Sequence, residues 1–205
     1  SSGNAVRDYQ DASVYPKHFE DEANNIHSPA ESMNHISIGA LAGNLEIFKN
    51  GAIGIADDEN FPAIYSSKCN FDFDAAGISR NRTNKHFGKP DLLYYGGDFD
   101  QGFSSEHLGI SVLTPRLGLF FWRESGTSYS APFVANLAAK IIKKYPTISM
   151  QAVKAIIINS ATQPTLSQKF DVVPKPVLKR LLGKGIPDEG LCLNSTENEV
   201  TLLIE

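Results

Sequence analysis

The sequence predicts a single α/β domain in which helices pack on a sheet. Short β-branched segments alternate along the chain with two longer apolar segments that have helical spacing, and this alternation is typical of α/β folds. The chain has 205 residues, which is enough to bury a sizeable core, and its 41% hydrophobic and 20% charged residues are typical of a globular protein. Neither an internal repeat nor a low-complexity tract interrupts this pattern.

The charges and the cysteines exclude several kinds of partner and site. The net charge is −4 with acids and bases interspersed, so we expect no nucleic acid partner. Every apolar run is shorter than the roughly 18 residues of a membrane span, so we expect no membrane partner. Cys69 and Cys192 lie far apart in sequence, which argues against a zinc site or a disulfide framework. Asp72 and Asp74 lack the later glutamate of a calcium loop, so we predict no metal site.

Short strands separated by loops are predicted for the first half of the chain. Residues 5–31 are polar and rich in turn-forming residues, so we expect a surface loop with at most a short helical turn. Residues 35–41 (HISIGAL) alternate and are β-branched, which predicts a buried strand. A hairpin at 47–56, a short strand at 62–69 and a loop at 70–90 are predicted to follow.

Further strands are predicted in the second half. Residues 90–97 (PDLLYYGG) form a strand that runs into a turn, and residues 108–125 contain two strands with a bend near Pro115. A turn-rich segment at 183–190 precedes a final strand at 198–204.

Two helices are predicted between these strands. The first extends from residue 131 to 144 and places Pro132 in its first turn, where no backbone donor is required. The second covers residues 149–161, with Ser149 as its N-cap.

The segment SGTSYSAP, residues 125–132, holds the strongest candidate for chemistry. A serine at a helix N-terminus lies beside backbone N–H groups that favour negative charge, and the N–H of Ser128 can help to hold an oxyanion. Gly126 allows either a close approach by another segment or a positive φ. The alternative is that Thr127, Ser128 or Ser130 is only an N-cap, and the helix start alone leaves both interpretations open.

The longer segment GTSYSAPFVANLAA resembles the nucleophile segment of subtilisin-like serine proteases (subtilases, peptidase family S8). The family pattern there is Gly-Thr-Ser, any residue, a small residue, any residue and Pro, followed by an apolar helix. Phe133 departs from the family, which often has His after the proline, but that His is not part of the catalytic triad.

Other segments resemble subtilase segments in the family's order, from residue 1 to about residue 190. Departures are Cys69, where the pattern F-S-S/N-x-G has Gly, and Tyr95-Gly96, where the family has Pro-Gly. The resemblance implies part of a subtilisin-like three-layer fold, with a mostly parallel sheet and helices on both faces. The segments are SSGN (1–4), SPAESMNHISIGAL (28–41), PAIYSSKC (62–69), GKPDLLYYGGDF (88–99), INSAT (158–162) and GKGIPDEG (183–190).

The resemblance also implies a mechanism and a site. Ser128 is the implied nucleophile, and the Asn4 side chain and the Ser128 N–H are the implied donors of the oxyanion hole. Considered alone, Asn4 is better explained as a turn residue that tolerates the left-handed conformation. Gly126 and Thr127 would shape the approach to the nucleophile. The residues implied to line the pocket for the side chain before the scissile bond are Ser1, Ser2, Gly3, Pro29 and Ala30.

The base and its orienting carboxylate have no family counterpart in this sequence. Subtilases have the order Asp, His, Ser, so both partners are expected upstream of residue 1. We therefore expect residues 1–205 to be the C-terminal portion of a subtilase catalytic domain, with 191–205 leading into a further segment. The expected partners are the N-terminal half of the same domain and a polypeptide substrate.

Any residue of this sequence that took the place of those partners would have no counterpart in the family pattern. His18, His27 and His86 lie in polar loops and are expected at the surface, and His35 is expected at a strand edge. His107, in the loop before the nucleophile segment, is the first choice among the five histidines for a base.

Three aspartates are expected to belong to turns and loops. Asp91 is expected to fix the turn after its proline by an Asx-type bond. Asp98 and Asp100 are expected in loops, with a cation or substrate contact left open.

These observations predict a serine endopeptidase in the longer protein, with residues 1–205 inactive alone. The alternatives are a catalytically inactive subtilase-like module for binding or scaffolding, and an unrelated α/β binding protein with a chance motif. No cofactor is expected; calcium is common in the family, but this sequence has no clear site for it. The Tyr95-Gly96-Gly97 turn and the segment 183–190 resemble large bacterial intracellular subtilases, which favours the bacterial cytoplasm over secretion.

Overall fold

Two strands that are distant in sequence form a parallel pair, β1 (Ile38–Leu41) and β2 (Leu92–Tyr95). The computed structural model describes residues 2–4, 11–32, 34–45, 52–69, 88–115 and 117–194. Every residue of β1 is buried, as expected for a strand covered on both faces. The Ser2 N–H donates to the Ile38 carbonyl over 2.8 Å, so the start of the chain lies alongside β1.

Helices cover both faces of this pair. Successive residues of a strand point to opposite faces. Leu92 accordingly packs in a cluster with α1 (Thr127–Lys144) and α2 (Met150–Asn159). Leu93 packs instead with Leu182 of α3 (Lys175–Leu182). The described residues therefore confirm the predicted α/β architecture with helices on both faces.

A third, larger cluster lies among the connecting segments. It is built mainly from aromatic and aliphatic side chains of the 3₁₀ segments and loops, with one residue each from β1 and α3. Its members are Tyr15, Phe19, Ala40, Ala42, Ile55, Ala56, Phe61, Ala63, Ile64, Tyr65, Phe170, Val173 and Leu181. Within the described ranges, the 3₁₀ helices are Ala12–Val14, Lys17–Glu20, Glu22–Asn24 and Gln168–Val172. The last helix, α4 (Glu189–Leu193), packs near α1.

An antiparallel hairpin leads into α1. Its strands are β3 (Ile110–Leu113) and β4 (Phe121–Glu124), paired from Ile110↔Glu124 to Leu113↔Phe121. The predictions of two strands in 108–125, of a strand within 35–41 and of a strand within 90–97 are confirmed. The second helix is also confirmed, because the Ser149 hydroxyl accepts from the Ala152 N–H.

Other predictions were wrong in their details. The first helix begins at Thr127, so Pro132 is its sixth residue and does not lie in the first turn. Residues 62–69 form isolated bridges instead of a strand. The predicted loop 5–31 contains three 3₁₀ helices, and α3 and α4 were not predicted.

Some predictions fall on undescribed residues. The turn of the hairpin at 47–56, most of the loop 70–90 and the final strand at 198–204 lie outside the described residues. None of the described helices combines the length and apolar character that crossing a bilayer requires.

Candidate active site

Ser128 is exposed at the start of a long helix. Strand β4 ends at Glu124, Gly126 is the N-cap, and Ser128 is the second residue of α1. N–H groups in the first turn of a helix have no intrahelical acceptor and attract negative charge. Within the described part of the chain, Ser128 Oγ makes no hydrogen bond. The hydroxyl is thus accessible and lies where a developing oxyanion would be stabilised.

Asn4 is held against this helix end by Thr127. The Oδ1 atom of Asn4 accepts from the Thr127 N–H over 2.9 Å and from Thr127 Oγ1 over 3.0 Å. Since a backbone N–H can only donate, this end of the amide is the carbonyl oxygen, and the Nδ2 end is fixed by elimination. Thr127 is fully buried, which holds the pair rigidly.

Two donors remain beside the serine hydroxyl. The Thr127 N–H is used by Asn4, whereas the Nδ2 donor of Asn4 has no acceptor among the described residues. The backbone N–H of Ser128 follows next in the same turn. In acyl transfer, donors of this kind stabilise a tetrahedral intermediate when they point at its oxyanion.

Gly126 is required by the approach of Asn4. A Cβ at position 126 would lie 3.0 Å from Asn4 Nδ2 and 3.6 Å from a ring carbon of Tyr129. The φ of Gly126 is 164°, which is extended backbone open to any residue. Of the two reasons that the sequence offered for this glycine, the structure shows the close approach.

The segment before Ser128 is anchored to the turn after β2. The Gly126 N–H donates to the Gly96 carbonyl over 3.0 Å, and Ser125 Oγ donates to the Asp98 carbonyl over 2.7 Å. The sequence marked Gly96 only as part of a turn. A signal for its role was present in the Gly-Gly pair, because adjacent glycines allow two backbone segments to approach closely.

The predicted pocket residues lie in two neighbouring segments. Ser2 is fully buried, and Gly3 has a φ of +88° with its carbonyl accepting from Ser67 Oγ over 3.1 Å. Pro29 is exposed and Ala30 half-buried in a turn in which the Ala30 N–H donates to the His27 carbonyl over 2.9 Å.

His27 connects these two segments. A Cβ on Gly3 would lie 4.0 Å from a ring carbon of His27. The turn that contains Pro29 and Ala30 therefore begins beside the segment that contains Asn4. Ser1 lies outside the described residues.

The prediction that His18 lies at the surface was wrong. Its ring is buried between Tyr15 and Phe19, and Nε2 lies 2.7 Å from the Ile64 carbonyl, to which it donates. Burial lowers the pKa of His18 to about 4, so the imidazole is neutral at neutral pH. The sequence did contain a signal for this burial, because Tyr15 and Phe19 flank His18 within an otherwise polar segment.

No histidine of the described residues donates to or accepts from Ser128 Oγ. His27 is exposed, as predicted. His35, predicted at a strand edge, is exposed and precedes β1 by three residues, and His86 lies outside the described residues. His107 is half-buried, and its carbonyl accepts from Arg123 over 3.2 Å. None of these contacts orients an imidazole towards the nucleophile.

Asp91 has a different role from the one predicted. Instead of an Asx-type bond, its Oδ2 accepts from the Ser37 N–H over 2.7 Å and from Lys89 Nζ over 2.5 Å. Lys89 is only 1% exposed and also donates to the His35 carbonyl over 2.6 Å. This ion pair, of which Lys89 is buried and Asp91 partly buried, joins the starts of β1 and β2, and the sequence did not indicate that Lys89 is buried.

Asp98 and Asp100 make backbone contacts. The Oδ2 atom of Asp98 accepts from the Ala56 N–H over 2.9 Å. Asp100 Oδ1 accepts from the N–H groups of Gly102 and Ser104, each over 2.9 Å. Among the described residues, no three metal-binding side chains of His, Cys, Asp or Glu cluster together.

Comparison with known proteins gives three findings. The model of the subtilase family (Peptidase S8) matches residues 1–185. The uncharacterized protein y4bN of Sinorhizobium fredii is 28% identical over 207 residues, which cover 96% of this chain and 46% of that protein. Among solved structures, a structure of proteases from Pseudoalteromonas arctica matches with a TM-score of 0.52 and 16% identity.

Both matched proteins are much longer than this chain. The structural match covers 94% of this chain and 40% of the solved chain. This chain therefore spans less than half the length of either protein. At 16% identity the structural match shows the fold alone.

Proposed function

The chain belongs to the subtilase family, and on that premise we propose that the whole protein is a serine-type endopeptidase whose nucleophile is Ser128. One observation carries the proposal: Thr127 holds Asn4 by its carbonyl oxygen and leaves the Nδ2 donor beside the helix end that presents Ser128. An asparagine that served only the local turn would not need this contact with a residue 123 positions later.

The proposed reaction is acyl transfer to the serine followed by hydrolysis. Ser128 Oγ attacks the peptide carbonyl carbon while a histidine takes its proton. The carbonyl oxygen becomes an oxyanion held by Asn4 Nδ2 and the Ser128 N–H. The C–N bond then breaks, the histidine returns the proton to the leaving amine, and water hydrolyses the acyl-enzyme. No cofactor is needed for these steps.

We place the histidine and its aspartate upstream of residue 1. The chain covers 46% of one relative and 40% of the solved protease, which leaves room for an N-terminal half of the catalytic domain. Residues 1–205 would then be the C-terminal portion of that domain. The substrate is a polypeptide, and the pocket for the side chain before the scissile bond would include Gly3, Pro29 and Ala30.

Covalent labelling of the full-length protein with a fluorophosphonate probe tests the nucleophile. We expect the wild type to be labelled and Ser128→Ala to remain unlabelled. Ser149→Ala is a matched control, because Ser149 also stands at a helix N-terminus but its hydroxyl only caps α2. It should be labelled like the wild type.

Two results would contradict the proposal. An unlabelled wild type would favour an inactive binding module, and a Ser128→Ala variant that labels normally would move the nucleophile elsewhere. A third measurement tests the upstream triad: robust Ser128-dependent cleavage by residues 1–205 alone would show that the base is local.

A further inference from the structure

A buried tyrosine hydroxyl lies below the nucleophile segment and is not used by the mechanism above. Tyr65 is 4% exposed, and its Oη lies 2.8 Å from the Gly96 carbonyl oxygen and 2.7 Å from the Gly97 carbonyl oxygen. The subtilase pattern that this segment resembles has Phe at this position, which has no hydroxyl. That pattern therefore does not supply the hydroxyl that contacts the Gly96-Gly97 turn.

The same turn holds the N-cap of α1. The Gly96 carbonyl that faces Tyr65 also accepts from the Gly126 N–H over 3.0 Å. Gly126 is two residues before Ser128 and directly precedes Thr127, which binds Asn4. A shift of the Gly96 peptide therefore moves the N-cap from which both the nucleophile and the oxyanion donors are positioned.

The space around Gly96, where the turn meets α1 and Tyr65, is fully occupied. A Cβ at Gly96 would lie 2.6 Å from Ser130 Oγ, 2.9 Å from Ala40 Cβ and 2.9 Å from Tyr65 Oη. Ser130 is itself fully buried in the first turns of α1. In such a close-packed interior a change at one atom is transmitted to its neighbours.

The phenol remains protonated and can act as a donor. Burial raises the pKa of Tyr65 well above its ordinary value, and the nearby charge of Asp98 raises it further. A hydrogen bond with the Gly126 backbone opposes this rise. A single O–H thus serves two converging carbonyl groups, and its removal leaves both without that donor.

We infer that Tyr65 is a positioning residue for the proposed peptidase reaction, because its hydroxyl fixes the Gly96-Gly97 turn on which the N-cap of the Ser128 helix rests. This inference depends on the proposed function. It predicts that the hydroxyl affects turnover while substrate binding is unchanged.

Tyr65→Phe in the full-length protein, compared with Tyr15→Phe, tests the inference. Tyr15 is also 4% exposed, packs in the same cluster and donates to the Pro62 carbonyl over 2.8 Å, away from the nucleophile segment. We expect Tyr65→Phe to lower kcat and the rate of fluorophosphonate labelling about tenfold with KM unchanged. Tyr15→Phe should keep both rates. The two variants should lower the melting temperature by similar amounts, because each loses one buried hydroxyl.

Amide hydrogen–deuterium exchange gives a readout that does not need activity. Residues 125–130 should exchange faster in Tyr65→Phe than in the wild type or in Tyr15→Phe. Wild-type labelling and exchange rates in Tyr65→Phe would overturn the inference, and so would equal losses of rate in both variants. If the wild type itself takes no label, the proposed function fails, and the exchange comparison alone then decides whether Tyr65 positions the segment.

Discussion

Replacing Gly126 with alanine tests how closely Asn4, the proposed oxyanion donor, is held. The added Cβ would lie 3.0 Å from Asn4 Nδ2, a few tenths of an ångström inside an ordinary contact. Asn4 cannot rotate away freely, because Thr127 holds its Oδ1 at 2.9 and 3.0 Å. Since the backbone at Gly126 is extended, the substitution introduces no conformational strain of its own. The strain therefore falls on the contact between the methyl group and the amide.

The size of the effect follows from what the methyl group displaces. Complete removal of such a donor from a subtilisin costs about 10²–10³-fold in turnover. A displaced donor should cost less, so we expect Gly126→Ala to lower kcat about 10-fold to 10²-fold with little change in KM. Stability should fall by about 1 kcal/mol or less, because alanine is a poorer N-cap than glycine.

Steady-state kinetics of the full-length protein on a peptide substrate measure this effect. Gly88→Ala is the matched control, because a Cβ at Gly88 meets no atom of the described residues within 4 Å. It should leave kcat unchanged. Wild-type kcat in Gly126→Ala, or an equal loss in Gly88→Ala, would refute the placement of Asn4 at the oxyanion.

Two further predictions follow from the contacts of Thr127 and His18. Thr127→Val removes one of the two hydrogen bonds to Asn4 Oδ1. We expect kcat to fall about threefold to tenfold in steady-state kinetics, and the free energy of unfolding to fall by about 1 kcal/mol in urea. No loss in either quantity would contradict the role given to this hydroxyl. For His18 the folded pKa of about 4 lies below the ordinary 6.5, so the unfolded chain binds a proton first and stability should fall by up to about 3 kcal/mol as the pH drops from 6.5 to 4. His18→Gln, which keeps a donor for the Ile64 carbonyl, should flatten this part of the pH profile of urea unfolding; an unchanged slope would show that other groups produce it.

The elements that were predicted correctly are determined by residues close together in the sequence. Strands β1 and β2 have runs of apolar and aromatic residues, the hairpin has a turn between two runs of strand-forming residues, and α2 has its own serine cap. The nucleophile motif and the order of the other segments were also sufficient to indicate the subtilase family. The match of the family model over residues 1–185 confirms that family.

The features that were missed depend on contacts that are remote in sequence. Helix α1 begins four residues earlier than predicted because the Asn4 side chain accepts the Thr127 N–H, a cap that the neighbouring residues alone do not reveal. Lys89 is buried because the His35 carbonyl and Asp91 surround its ammonium group. Residues 62–69 have the composition of a strand, but they form only single bridges with three different segments.

The contact between Asn4 and Thr127 spans 123 positions and has a consequence for the timing of activity. On the ribosome, Asn4 is made before the helix that binds it, and a contact of such separation must overcome the entropy of closing a long loop. The donors that we propose for the oxyanion therefore come together only when these two distant segments have folded against each other. The serine hydroxyl can exist on a nascent or partly unfolded chain without its full reactivity, so the nascent chain would be protected from premature cleavage by the protein's own folding order.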